Sequence, residues 1–170
     1  DTVEGYFHGV SVMGDGLRAR VFSREFRRRL NGYSAVEVLR RHAAVAPTDD
    51  PLSLVQYLDM KTYLVGDILT KVDRASMAHA LEVRSPFLDH PLTEWVSGLP
   101  PAWKLRGQEG KYLLKKSLEP HLPHEVLYRD KMGFGVPIGE CLRGPLRACA
   151  DDLLAQARLR RGGFFAPGPI

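Results

Sequence analysis

The sequence predicts a mainly α-helical chain, and two observations carry that prediction. Capping residues stand directly ahead of stretches whose apolar side chains recur every three or four positions. No series of strands alternates with those stretches, so a parallel sheet is not visible in these 170 residues. Hydrophobic residues make up 44% of the chain and charged residues 26%, as in ordinary soluble globular proteins. No repeat or low-complexity tract interrupts it.

Ser23 is placed to cap a helix over Arg24–Leu30, which Gly32 ends. Ser34 is placed to cap Ala35–Ala46, where Val36, Leu39 and Ala43 form an apolar stripe before Pro47. Asp50 followed by Pro51 is a start signal, because proline is tolerated at the first helical position. From Leu52 to Leu64 apolar residues keep helical spacing; Gly66 interrupts, and Ile68, Leu69, Val72, Ala75 and Met77 resume it to about Ala80. Leu81–Asp89 alternates apolar and polar residues up to a proline and predicts an extended segment or loop. Short helices are expected near Leu92–Ser97 and His124–Tyr128, with a longer one over Glu109–Leu118. Arg129–Gly139 holds too many glycines to be regular. Gly144-Pro145 predicts a last helix to about Arg160, followed by a loop.

Bulk properties exclude several functions. No apolar run approaches the roughly 20 residues that span a membrane, and no secretory leader is visible. The net charge of +4 owes much to Arg24, Arg27, Arg28 and Arg29. Arg27 to Arg29 are consecutive, so they fan around a helix instead of lining one face. Without a nucleic-acid motif beside them, they predict a solvated helix and no nucleic-acid partner. Cys141 and Cys149 lie eight apart in one predicted helical region, which suits neither a disulfide nor a metal site. They read as small buried hydrophobes in a reducing cytoplasm. The start at Asp1 and the stop at Ile170 both read as cut ends, so a piece of a larger domain is expected.

Three segments carry charge beside glycine or proline, where sites tend to sit: Leu69–Asp89, Gly107–Lys116 and Tyr128–Arg143. In the first, Asp67 and Lys71 are spaced as a surface ion pair. Glu82 has two readings: one half of an ion pair with Arg84, or a carboxylate held for proton transfer. In the second, glycines and Lys111 open a helix, a combination that attracts anions. In the third, alternating glycines permit turns that would hold Lys131 in place, where it can neutralise a phosphate or a developing oxyanion. A solvated loop lysine is the competing account.

The stretch DILTKVDRASMAHALEVRSPFLDH, Asp67 to His90, closely resembles the signature of glutamine-hydrolysing asparagine synthetases. EGKYLLK (Glu109–Lys115) and KMGFGVPIG (Lys131–Gly139) resemble two later blocks of that family, in the same order. The text around VQYLDMKTYL (Val55–Leu64) is similar to a branch associated with exosortase and exopolysaccharide systems.

The resemblance implies that residues 1–170 are the C-terminal, helical part of an adenine-nucleotide α-hydrolase-like α/β domain, its parallel sheet lying mostly upstream. In such enzymes a cytoplasmic synthetase uses ATP and magnesium to adenylate aspartate or a related carboxylate. Ammonia from a glutaminase domain then gives the amide, AMP and pyrophosphate. By position, Lys131 matches a lysine that reaches the ATP phosphates and the reacting carbonyl, Lys111 a second lysine near the pyrophosphate, and Glu82 an acid/base glutamate. Ser85 and Cys141 stand where the family usually has Val and Trp. The Ser-Gly-Gly-x-Asp-Ser phosphate loop, the acidic block before the substrate site and the glutaminase cysteine have no counterpart in this sequence. The isolated chain is therefore expected to be inactive, and a non-catalytic helical module that self-associates is the alternative.

Overall fold

The computed structural model describes residues 1–130 and 136–168. Its helices are α1 (Thr2–Val10), α2 (Asp15–Val21), α3 (Arg24–Leu30), α4 (Val36–Ala43) and α5 (Pro51–Lys61). A π-helical turn over Leu64–Leu69 leads into α6 (Thr70–Met77), and a 3-10 turn over Pro86–Leu88 precedes α7 (His90–Ser97). Then come α8 (Pro101–Lys104), strands β1 (Leu105–Arg106) and β2 (Glu109–Gly110), α9 (Tyr112–Leu118) and α10 (His124–Leu127). Helices α11 (Ile138–Arg143), α12 (Arg147–Leu153) and α13 (Gln156–Gly162) close the order. The chain is thus mainly helical, as its sequence predicts. The described strands form one antiparallel pair with Leu105 opposite Gly110 and Arg106 opposite Glu109.

Among the described residues the backbone clusters into two units, one made of residues 1 and 3–38 with 136–168 and the other of residues 39–130. In the first, the Asp1 carboxylate caps α1 by accepting from Val3 N–H at 2.9 Å. Ser23 does two jobs. Its Oγ accepts from Phe26 N–H at 3.0 Å, as an N-cap should, and donates to the Gly163 carbonyl at 2.6 Å. The backbone adds Ser23 N–H to Phe164 O and Ala166 N–H to Val21 O. These bonds tie the segment after α13 to the α2–α3 junction. Phe26 meets Phe22 and Phe164 edge-on, and Phe22 packs against Phe165. The segment after α13 is a loop, as the sequence predicts, and paired aromatics hold it in place.

The predicted Ser34 cap does not form. The first turn of α4 closes through backbone bonds, Glu37 N–H to Ser34 O and Val38 N–H to Ala35 O, and the Ser34 hydroxyl stays buried without a partner. The expected helix from Gly144 to Arg160 is two helices, because the chain leaves helical geometry at Leu154 and Ala155. Cys141 and Cys149 sit on different helices, α11 and α12, which residues 144–146 separate, and both are free thiols. Cys149 is exposed and Cys141 half-buried, which corrects the reading of both as buried hydrophobes.

In the second unit, Asp50 caps α5 through Ser53 N–H at 2.8 Å. Gly66 does not break the helical run; the run widens there into the π turn and continues as α6. What stops it is a Schellman motif. Leu81 N–H bonds Ser76 O and Ala80 N–H bonds Met77 O, with Ala80 in the left-handed region at φ 54°. Glycine usually takes that position, so alanine here holds a mildly strained stop. Leu58 is 0% exposed, whereas Phe87 and Trp95 are 67% and 58% exposed. The unit thus buries few side chains completely and leaves large aromatics at its surface. No described helix is long and apolar enough to cross a membrane.

Candidate functional site

The second unit carries all three segments in which chemistry is expected up to Asp130. Lys131 lies outside the described residues. Glycine-rich Gly107–Lys111 was read as the opening of a helix, and the structure corrects this: it is a hairpin followed by a helix. Gly107, at φ 62°, makes the turn between β1 and β2, a conformation in which a side chain would be strained. Lys111 then takes left-handed geometry at φ 57° and precedes α9 as its N-cap residue, with Lys115 N–H bonding its carbonyl.

The neighbours of Lys111 are fully engaged. Lys115 Nζ pairs with Glu109 Oε1 and stands 5.0 Å from the centre of the Tyr128 ring. Lys116 Nζ lies 2.7 Å from Glu119 Oε1, and the Tyr128 hydroxyl donates to that same oxygen at 2.7 Å. His124 stacks on Tyr128 with ring centres 4.5 Å apart, and the Arg106 guanidinium both bonds the Tyr112 hydroxyl and covers its ring. Lys111 itself is exposed. Among the described residues no carboxylate pairs with it. One cation is therefore left without an internal anion in a segment where the others are neutralised.

Glu82 behaves as half of an ion pair. Arg84 Nε donates to its Oε1 at 2.8 Å and Nη2 stands 2.7 Å from the same oxygen, with both side chains mostly in solvent. Lys71 and Asp67 form the expected pair at 2.8 Å. That hydrogen bond holds the Lys71 ammonium above the ordinary lysine range. No hydrogen bond or ion pair joins Glu82 to Lys111 among the described residues.

The Lys116–Glu119–Tyr128 contact was not foreseen. Lys116 and Glu119 are three apart on or just past a helix, a spacing that signals a pair. Tyr128 is nine residues on and carries no such signal. Its hydrogen bond to Glu119 pushes the phenol above the ordinary tyrosine range, while Lys116 and Tyr128 together hold the Glu119 carboxyl below the usual carboxylate range. The Tyr128 contribution to stability is present below about pH 10 and is lost as pH rises through the raised value. The Glu119 contribution is present above the ordinary carboxylate range and is lost as pH falls through the lowered value. In a spectrophotometric titration, Glu119→Gln is expected to bring the ionisation of Tyr128 to lower pH. Tyr128 ionising at the same pH in the parent and in Glu119→Gln would show that the bond does not persist in solution.

The family model for asparagine synthase matches residues 4–170. A Mycobacterium tuberculosis protein bearing an asparagine synthetase name is 46% identical over 94 residues, which are 55% of this chain and 14% of that protein. Asparagine synthetase (glutamine-hydrolyzing) 1 of Bacillus subtilis is 33% identical over 122 residues, 72% of this chain and 19% of that protein. An amidase of Gibberella zeae is 32% identical over 121 residues, 67% of this chain and 18% of the relative. The chain thus spans less than a fifth of each of these relatives. No solved structure matches it. The match along nearly the whole chain places it in the asparagine synthase family.

Proposed function

We propose that residues 1–170 are the helical, C-terminal part of a synthetase domain that forms an amide from a carboxylate, ATP and glutamine-derived ammonia. The name asparagine synthetase carried by the relatives supports an amide-forming class, with aspartate or a related carboxylate as acceptor. In that reaction ATP supplies the adenylate that activates the carboxylate, and AMP and pyrophosphate leave. The single observation that supports a phosphate-facing role here is Lys111. It is exposed, lacks a carboxylate partner among the described residues, and is fixed by left-handed backbone between a hairpin and a helix. Uncommon backbone geometry held by its surroundings is often found where a side chain must be aimed.

On this reading the Lys111 ammonium offsets phosphate charge, while Lys115 and Lys116, consumed by Glu109 and Glu119, keep the hairpin and α9 in place. Lys131 is the proposed second cation, acting at the phosphates and the reacting carbonyl. Glu82 is the proposed acid/base residue; to act, its carboxylate would have to exchange Arg84 for substrate. Magnesium has no donor set here: among the described residues no three His, Cys, Asp or Glu side chains come together as a metal site. No step is therefore assigned to the metal. The chain in isolation is proposed to be inactive, because the family's Ser-Gly-Gly-x-Asp-Ser loop, which cradles phosphates through backbone N–H groups, has no counterpart in its sequence.

The test uses the longer protein that contains this sequence, with pyrophosphate release measured against ATP, aspartate and ammonia. Lys111→Ala is expected to raise KM for ATP about tenfold or more, the loss of one charge-assisted contact. Lys116→Ala, which breaks a structural pair, should leave KM nearly unchanged. Equal and unchanged KM values for both variants would remove Lys111 from the site. That outcome would favour a second reading, a non-catalytic helical interaction module, for which the exposed Phe87 and Trp95 speak.

A further inference from the structure

Two depressions open on α2 and α3 in the first unit, and Arg27 lines both. One, of about 300 Å³, is lined by Arg24, Arg27 and Arg28. The other, of about 260 Å³, has Asp15, Arg18, Phe22, Arg27, Tyr33 and Ser34 among its walls. Arg18 is held in place there. Its Nη1 lies 3.2 Å from Asp15 Oδ1, its Nη2 donates to the Tyr33 carbonyl at 3.4 Å, and its guanidinium sits 5.6 Å from the centre of the Phe22 ring. Only 15% of the Arg18 side chain is exposed. Arg27 is exposed and, among the described residues, pairs with no carboxylate. Ser34 also lines this depression, and its hydroxyl, just beneath the surface, is buried without a hydrogen-bond partner.

We propose that this second depression is a binding site for a compact oxyanion of the phosphate class, taken between Arg18 and Arg27 with the Ser34 hydroxyl as a further donor. The chemistry of the wall favours such a ligand. Two guanidinium groups present forked N–H donors and positive charge, a set that suits oxygen anions. A buried hydroxyl with no partner retains a donor, and supplying an acceptor removes the penalty of leaving it unmatched. Three separate donors match a tetrahedral anion, with at least three acceptor oxygens, better than a planar carboxylate with two. Asp15 restrains Arg18 and opposes the field, which tunes the site toward an anion that both arginines must share. These residues are other than Lys111 and Lys131, so the proposal is additional to the phosphate-facing role proposed above.

The experiment is a titration of the 170-residue chain with inorganic phosphate at constant ionic strength, followed by amide chemical shifts. Saturable shifts at Gly32, Tyr33 and Ser34 are expected. Arg27→Gln should weaken binding about tenfold or more, and Ser34→Ala should weaken it less. Asp15→Asn should tighten it by removing a repelling charge. Arg29→Gln is the control, since Arg29 is 73% exposed and pairs with Glu25 at 2.6 Å. The same spectra report whether each variant is folded; if Arg27→Gln is not, Arg27→Lys keeps the charge, loses the fork and should still weaken binding. Absence of a saturable shift would overturn the proposal. So would equal weakening by Arg29→Gln and Arg27→Gln, which marks diffuse attraction, or unchanged affinity in both Arg27→Gln and Ser34→Ala.

Discussion

Replacing Lys131 by alanine in the longer protein is expected to lower the rate of pyrophosphate release about a hundred- to a thousandfold, the usual effect of removing one preorganised donor from a developing charge. The expectation follows from the role proposed for Lys131 at the phosphates and the reacting carbonyl. A group that acts at both is engaged more strongly as charge builds than in the ground state, so its loss falls on kcat. Lys111→Ala should differ in kind. That cation is proposed to meet phosphate before and during the reaction, and its loss should fall mainly on KM. Measuring both variants under saturating ATP separates the two roles. Release at the unaltered rate by Lys131→Ala would make Lys131 an ordinary loop lysine and withdraw it from the chemistry.

Leu58→Ala is expected to be the most destabilising single change in the second unit, by about 2–5 kcal/mol. Among the described residues of that unit Leu58 is the one side chain with no exposed surface, and alanine would leave a void that rigid surroundings only partly close. It also sits one turn before Thr62, whose hydroxyl donates to the Leu58 carbonyl at 2.6 Å just ahead of the π turn. Small domains have only about 5–15 kcal/mol in total, so the loss is a large share. A urea titration followed by far-ultraviolet circular dichroism should show a clearly lower midpoint. Val12→Ala, at a position 98% exposed, should stay within about 0.5 kcal/mol of the parent. If both variants unfold at the parent midpoint, Leu58 is not a core residue in solution.

Local signals survived into the structure where one residue suffices to make them. Ser23 and Asp50 cap the helices they precede, because a short polar side chain and one or two free N–H groups are all a cap requires. Ser34 carries the same signal and fails, because backbone bonds close the first turn of α4 by themselves. The β1–β2 hairpin has strands of two residues, too short for alternation to register, although Gly107-Gln108 is a recognisable two-residue turn. The helix end at Leu154 has no glycine or proline to mark it. In the candidate site, Lys111 was legible as a cation beside glycines, but its lack of a partner was not. That property depends on Lys115 and Lys116 finding Glu109 and Glu119, and on Tyr128 closing over both lysines' neighbours, which only the folded chain displays.

The π turn over Leu64–Leu69 takes up one extra residue within the helical run that continues as α6. A π turn is in effect one residue inserted into an α-helix, and each residue advances the helix by about 100°. Thr70 steadies the wide turn by donating its hydroxyl to the Val65 carbonyl at 2.8 Å. Deleting one residue between Leu64 and Leu69 would therefore let the wide turn close to ordinary α geometry and leave α6 facing nearly as it does now. Lys71, Asp73 and Arg74 would keep their direction although each moved one place in the sequence. A residue lost elsewhere on this run would have no such turn to absorb it and would swing α6 by more than a quarter circle.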